Sequence, residues 1–306
     1  MALGGGHGLA ASLQALRRVT DSLTAVVGVA DDGGSSGRLR SELGILPPGD
    51  LRMALAALCG DDSWGRTWQE VIQHRFGGTG ELAGHSMGNL LIAALWERSG
   101  DTVTGLDWVG ALLEAHGRVL PCSTVPLTIV ADVLGHDPLL PHETSEVRGQ
   151  VEVATTPGTV LHIALDPPEP PACAEAIAAV READAIVLGP GSWYTSVIPH
   201  LVIPDLARAI AESPARRVVV LNLNPQIGET TGFAAHTYLD VLYNYLPDLR
   251  VDTVIGDRRH IEDLAALEKS AGDLGAELFL MDIARPGAAG MHDPQRLAVA
   301  FDTVLA

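Results

Sequence analysis

The sequence predicts an α/β fold: a Rossmann-like, mostly parallel sheet with helices on both faces and an added smaller subdomain. Three observations carry this reading. Met1–Ala30 reads as strand, glycine turn, helix, strand, one βαβ unit and hence the start of a parallel sheet. The runs Ala185–Gly189 (AIVLG) and Arg217–Leu223 (RVVVLNL) are continuously apolar, as strands buried on both faces must be. Polar, glycine-rich segments follow the strand ends, and in a parallel sheet all these ends face one edge.

The elements are justified in order. Met1–Leu3 is the tail of a strand, Gly4–Gly8 a turn, and Leu9–Val19 a helix with Leu9, Leu13 and Leu16 on one face. Leu23–Ala30 (LTAVVGVA) is a buried strand, and Asp31–Asp50 a polar loop. Leu51–Leu58, Trp64–His74, Met87–Glu97 and Asp107–His116 make residues 51–117 mainly helical. Residues 118–170 are strand-rich, with Val119–Leu120, Leu127–Val130, Gln150–Val153 and Thr159–Leu165 broken by proline and glycine. Beyond the proline-rich Asp166–Pro171, helices near Ala174–Arg181, Ile203–Ala211, Thr237–Tyr245, Ile261–Ala271 and Pro294–Val304 alternate with strands, including Val251–Ile255 and Leu278–Met281. The whole chain, 1–306, reads as one domain in which 51–117 and 118–170 are elaborations.

Composition narrows the function. Apolar residues make up 47%, enough for a large core, and 38 acidic residues against 20 basic give a net charge of −18. A nucleic-acid binder needs a basic face that this chain has few residues to build. A small anion can still be held by backbone N–H groups, arginine or a metal. Cys59, Cys122 and Cys173 form no CxxC pair, so the sequence suggests neither a disulfide framework nor a zinc site. MALGGGHG lacks the pattern of a signal segment, and no apolar run has the ~18 residues of a membrane span. The expectation is a cytoplasmic protein.

The glycine turns carry the chemistry. Gly6-His7-Gly8-Leu9-Ala10-Ala11 fits the relaxed G-x-G-x-x-A form of the dinucleotide fingerprint, in which glycines admit a phosphate to the backbone and the following helix aims N–H groups at it. Asp31 stands where a Rossmann site keeps an acid for the ribose, but it opens a long polar loop instead of a short turn, which leaves NAD a lesser alternative. Gly189-Pro190-Gly191-Ser192 forms a second turn, read either as an anion nest or as a plain turn with Ser192 capping the next helix. Walker, HExxH and nucleophile-elbow motifs are absent from the sequence.

GGGHGL, VADDGGSSGRLR, GILPPGDLR, GHSMGNL, LGPGSWYTSVIPHL and NPQIGETTGF occur in that order. This set resembles the CofD/YvcK-like superfamily, which holds 2-phospho-L-lactate transferases and gluconeogenesis factors. DDGGSSGRLR, ILPPGD and GPGSWYTS are similar to the gluconeogenesis-factor branch; the transferase branch carries GPSNP where this chain has Gly189-Pro190-Gly191-Ser192-Trp193. The resemblance implies a homodimeric, cytoplasmic protein that binds nucleotide-sugars of the UDP-N-acetylglucosamine type and links gluconeogenic carbon to cell-wall growth and cell shape, with a cell-wall synthesis protein as partner. The alternative it implies is a metal-dependent transferase of phospholactyl or phosphoenolpyruvyl groups from a nucleotide diester. Family members carry more apolar residues before the GGG turn, so the first strand is expected to be clipped or the start late, and His7 stands where they usually have Thr.

By that resemblance Asp32 and Asp50 are the metal candidates, for Mg2+ bridging carboxylate and phosphate; Asp50 reads equally as an N-cap and Asp31 and Asp32 as solvated acids. Gly5, Gly6, His7, Gly8, Asp31, Gly33, Gly34, Ser35, Ser36, Gly189, Gly191 and Ser192 are the expected ligand cradle. Arg38 and Arg52 are phosphate candidates because the guanidinium fork matches that group, or else surface ion pairs. His85 and Asn89, with Ser86 as helix cap, are expected at the ligand edge, as are Asn222, Asn224 and Glu229. Trp193 and Tyr194 either stack on a base or pack the core.

Overall fold

The computed structural model describes residues 1–288 and 290–306. The chain opens with β1 (Ala2–Gly4), α1 (Gly6–Leu16) and β2 (Thr24–Val27), the βαβ unit read from the sequence. There follow α2 (Gly34–Leu43), α3 (Gly49–Leu58), α4 (Ser63–Gln73), α5 (Met87–Ser99) and α6 (Thr102–Leu113). Next come β3 (Arg118–Pro121), β4 (Thr128–Leu134), β5 (Thr144–Arg148), α7 (Gln150–Ala154), β6 (Thr159–Asp166), α8 (Ala174–Glu182) and β7 (Ala185–Leu188). A short π-helix, Trp193–Val197, leads to α9 (Pro199–Val202), α10 (Pro204–Glu212) and β8 (Arg216–Val220). The chain closes with α11 (Ala235–Tyr245), β9 (Thr253–Gly256), α12 (Leu264–Leu274), β10 (Glu277–Leu280) and α13 (Pro294–Leu305).

Seven strands form one parallel sheet in the order β10-β9-β8-β7-β1-β2-β3. The chain winds outward from β1 to β2 and β3, then returns to the middle and winds the other way from β7 to β10. The direction reverses between β1 and β7, which opens a crevice at the strand C-termini where ligands bind in open α/β sheets. The core residues of β1, β2, β7 and β9 are almost all buried, because helices cover both faces.

The smaller element is an antiparallel sheet, β5-β4-β6, inserted between β3 and α8. Three sequence expectations are corrected here. β3, expected in this strand-rich segment, is the edge of the main sheet. Gln150–Val153 is not a strand: it begins α7, whose first N–H groups of Gln150 and Val151 donate to the Asp32 carboxylate at 3.0 and 3.1 Å. The polar loop Asp31–Asp50 contains a helix, α2, whose sequence GSSGRLRSEL has too little apolar periodicity to announce one. Among the described residues no helix is long and apolar enough to cross a membrane.

Candidate functional site at the sheet switch point

The first glycine turn sits in the crevice with backbone where side chains would otherwise stand. A Cβ on Gly8 would lie 2.2 Å from the Pro190 carbonyl oxygen and 2.5 Å from the Gly191 Cα, so the two glycine turns pack backbone to backbone. A Cβ on Gly5 would lie 2.4 Å from Asp50 Oδ2 and 3.3 Å from Ser196 Oγ. Gly6, at φ +57, follows, and His7 is exposed on the first turn of α1.

DDGGSSGR is the N-terminus of a helix. Asp31 Oδ1 accepts from the Gly33 N–H at 3.0 Å, and α2 begins at Gly34, φ +45, with no side chain capping its first N–H groups. Those of Gly34, Ser35 and Ser36 have no intrahelical acceptor, as at any helix start, and the helix dipole places positive potential there. Asp31 and Ser36 also bound Gly49: Asp31 Oδ2 and Ser36 Oγ each lie 2.3 Å from where its Cβ would stand.

Asp50 completes the cluster from the first turn of α3. It is not the N-cap, which is Pro48. Burial, then the charge of Asp31, pushes its carboxyl up from 3.8 to about 7, against the Gly6 N–H and the Arg52 guanidinium. Asp31 is therefore the carboxylate that faces Asp50; Asp32, the expected metal partner, has both oxygens on the α7 N–H groups. Asp31 and Asp50 together offer hard oxygen ligands of the kind Mg2+ takes, with phosphate and water to complete the shell. No group of three or more His, Cys, Asp or Glu side chains is arranged for a metal among the described residues.

Arg52 is buried, not a surface ion pair. Its Nε donates to Asn89 Oδ1 at 3.0 Å, and a terminal nitrogen donates to Gln73 Oε1. Burial and the nearby Arg75 charge lower it to about 10, while Asp50 and Asp31 oppose the shift. Gln73 ends α4, and nothing local in the sequence marks it as part of the site.

Asn89 in turn donates to Ser35 Oγ at 3.1 Å and Ser36 Oγ at 3.4 Å. Ser35 Oγ also takes the Ser86 N–H at 3.3 Å and lies 3.0 Å from His85 Nδ1. With these partners Ser35 is a buried junction that ties α2 to α5, and its oxygen has no lone pair aimed at an electrophile. His85 is held below its ordinary pKa by burial and then by Arg38. Ser86 holds the N-cap position of α5 as expected, but its hydroxyl donates to the Ile72 carbonyl at 2.9 Å and makes no cap hydrogen bond.

Other expected residues are engaged elsewhere. The exposed Arg38 donates to the carbonyls of Ala83 (2.8 Å) and Glu81, so it braces the loop before α5 instead of supplying charge to the cradle. Gly189, at φ +76, turns the chain out of β7. The second turn is then closed by Asn222, which accepts from the Gly191 N–H and donates to its carbonyl, both at 2.8 Å. Ser192 holds the N-cap position of the short helix behind it without a side-chain cap hydrogen bond, and its Oγ accepts from Gln226 Nε2 at 3.1 Å. Asn224 is exposed, with Oδ1 3.1 Å from His260 Nδ1. Trp193 and Tyr194 are core residues, Trp193 donating to the Tyr238 carbonyl at 3.1 Å. Glu229 is buried beside Ser192 and Thr195, and burial lifts its carboxyl from 4.5 to about 7. A cavity of about 910 Å³ opens at the opposite edge of the sheet, among Met1, Arg118 and Arg216, and holds none of the predicted residues.

The arrangement can hold an anion through backbone N–H groups and one clamped guanidinium, with two carboxylates able to share a cation. Comparison with known proteins bears on family and fold. A family model described as 2-phospho-L-lactate transferase CofD matches residues 1–291. A Mycobacterium tuberculosis protein provisionally named a gluconeogenesis factor is 51% identical over 309 residues, covering 100% of this chain and 90% of that protein. The gluconeogenesis factor of Bacillus subtilis is 35% identical over 260 residues, covering 85% of this chain and 78% of its own. A crystal structure of a UPF0052-family protein from Bacillus halodurans superposes with a TM-score of 0.86 at 32% identity, covering 98% of this chain and 96% of that one.

Proposed function

This chain belongs to the CofD family, and on that premise we propose that it is a nucleotide-sugar-binding regulator of the gluconeogenesis-factor type. The ligand is a UDP-N-acetylglucosamine-like molecule, and the output is control of gluconeogenic carbon entering cell-wall growth. The observation that carries the reading is the cluster at the sheet switch point: the α2 N-terminus and the first glycine turn meet through Gly49 and Asp50, since Asp31 and Ser36 abut Gly49 and Asp50 abuts Gly5, and the buried Arg52 follows on α3. A diphosphate suits such a cluster, because oriented N–H groups and one guanidinium recognise phosphate without a basic surface. The ring of satisfied hydroxyls around Ser35 favours binding over nucleophilic chemistry.

A second reading is metal-dependent transfer of a phospholactyl or phosphoenolpyruvyl group from a nucleotide diester. The Asp31–Asp50 pair favours it, since a divalent cation held there would offset the charge of the phosphates. Thermal melts with UDP-N-acetylglucosamine, UDP-glucose, GDP, NAD and phosphoenolpyruvate, each with and without magnesium, separate the two, because a ligand that binds only the folded state raises Tm by mass action. The regulator predicts stabilisation by UDP-sugars without turnover. Magnesium-dependent stabilisation by GDP, with no response to UDP-sugars, would reject it in favour of the transferase.

A further inference from the structure

Glu229 lies in the loop between β8 and α11 and is 3% exposed. Neither of its carboxylate oxygens has a hydrogen-bond partner among the described residues, and Gln226 Oε1 in the same loop is equally buried and unpartnered. The polar neighbours of the carboxylate are the hydroxyls of Ser192 and Thr195 and the N–H groups of Trp193 and Thr195, and the ionisable groups facing it are Tyr194 and Tyr238. Burial raises its carboxyl to about 7, and the nearby hydroxyls and N–H groups oppose that rise without reversing it. Three orphaned acceptor oxygens lie close together, because the Gln226 amide and the Glu229 carboxylate both adjoin Ser192.

The cluster borders the phosphate cradle. Ser196, in the same short helix as Thr195, places its Oγ 3.3 Å from the Cβ position of Gly5, against which Asp50 also packs. A ligand anchored by phosphate at Gly5 therefore has its next groups within reach of this loop. One carboxylate with two open oxygens matches two adjacent hydroxyls, as acidic residues do with the ribose of dinucleotides.

We propose that Glu229 reads a vicinal diol of the bound nucleotide, its two oxygens accepting the two hydroxyl protons, with Gln226 Oε1 accepting from a third donor. This rests on the nucleotide-sugar reading above and adds the residue that selects for a sugar ring. The diol belongs either to the nucleoside ribose or to the pendant hexose. The carboxylate is 3% exposed, so a diol reaches it only if residues 222–232, among which Ile227 is 96% exposed, move aside on binding.

Calorimetric titration of the wild type, Glu229→Gln and Gln226→Ala with UDP, 2′-deoxy-UDP and UDP-N-acetylglucosamine tests it. The wild type should favour UDP over 2′-deoxy-UDP if the ribose is read, or UDP-N-acetylglucosamine over UDP if the hexose is read, by about tenfold for a hydrogen bond to a charged group. Glu229→Gln should erase that ratio and leave the weaker ligand's affinity unchanged. Should Glu229→Gln fail to fold, Glu229→Asp, which withdraws the same carboxylate by one methylene, replaces it: a reduced ratio supports the proposal and an unchanged one overturns it, while Gln226→Ala, which loses only the third contact, should keep the ratio. Binding by the wild type with neither preference, an unchanged ratio in Glu229→Gln, or tighter UDP binding by Glu229→Gln, which would make the carboxylate an internal stand-in for phosphate, overturns this proposal alone. Failure of the wild type to bind any of the three overturns the nucleotide reading and this one with it.

Discussion

Replacing Asp50 with Asn should stabilise the protein, and by more at alkaline than at acid pH. The carboxyl rises from 3.8 to about 7 on folding, chiefly through burial and secondly through Asp31. A raised acid pKa means that the fold prefers the protonated form. The unfolded chain releases the proton near its ordinary value, the folded chain retains it, and stability falls as pH rises between the two. About three pKa units at 1.36 kcal/mol each set a ceiling of about 4 kcal/mol on the penalty above pH 7. Asp31 supplies part of the shift, so the recoverable amount is nearer about 2–3 kcal/mol. Asn keeps the volume and an oxygen for the Gly6 N–H but carries no charge. Urea unfolding at about pH 5.5 and about pH 8 measures the effect: the advantage of the variant should grow with pH by about 1–2 kcal/mol. An advantage that shrinks with pH would mean that the carboxylate is ionised in the fold and stabilised by Arg52, and the burial argument would be wrong.

Gly8→Ala should cost about 2–4 kcal/mol, because its Cβ would press on the Pro190 carbonyl at 2.2 Å and backbone cannot swing aside; urea unfolding reads the loss. Asp32→Ala should remove the anchor of α7 on the main domain at a cost of about 1–2 kcal/mol, seen as faster amide exchange in residues 144–154, and unchanged exchange there would refute the anchoring role. Asp257 is buried, which alone would raise its pKa, but Arg259 and the N–H groups of Arg259, Ala284 and Ile283 outweigh burial and hold it far below its ordinary range. Its contribution is present at neutral pH and lost as pH falls below the unfolded carboxylate value, so Asp257→Asn should destabilise by about 2 kcal/mol at pH 7 and by less in acid.

The sheet was legible because buried parallel strands leave a plain mark: AIVLG and RVVVLNL can only be core. The glycine turns were legible for a related reason, since close backbone approach excludes any side chain and Gly8 against Pro190 is such an approach. What escaped was long-range. Which of two adjacent aspartates faces Asp50 depends on α7, more than a hundred residues away, whose N–H groups claim Asp32. Gln73 reaches Arg52 only because α4 packs beside α3. Arg38 looked like a phosphate ligand by its neighbours in sequence, yet the turn of α2 that brings Ser35 and Ser36 inward carries Arg38 outward to the loop before α5. α2 itself was hidden because its inward face is mostly small and polar, Ser35 and Ser36 with Leu39 alone apolar, and so leaves no apolar stripe.

On the proposed nucleotide reading, the site has to collect an anion on a molecule whose net charge is −18. The buried cation at the cradle is Arg52, and Asp31 and Asp50 lie close enough to oppose its field. Attraction therefore comes from N–H dipoles that act only at contact, while at distances beyond about 10 Å an approaching nucleotide meets the repulsion of the whole molecule. Added salt screens the second effect and barely touches the first. The association rate for a nucleotide diphosphate should then rise, by about twofold or more, as salt is increased from about 20 mM to about 200 mM, the opposite of a protein that steers anions with a basic face. Stopped-flow binding across that range decides it. A rate that falls steeply with salt would mean that Arg38, Arg40, Arg52 and Arg75 together dominate the local field, and that the cradle attracts its ligand before touching it.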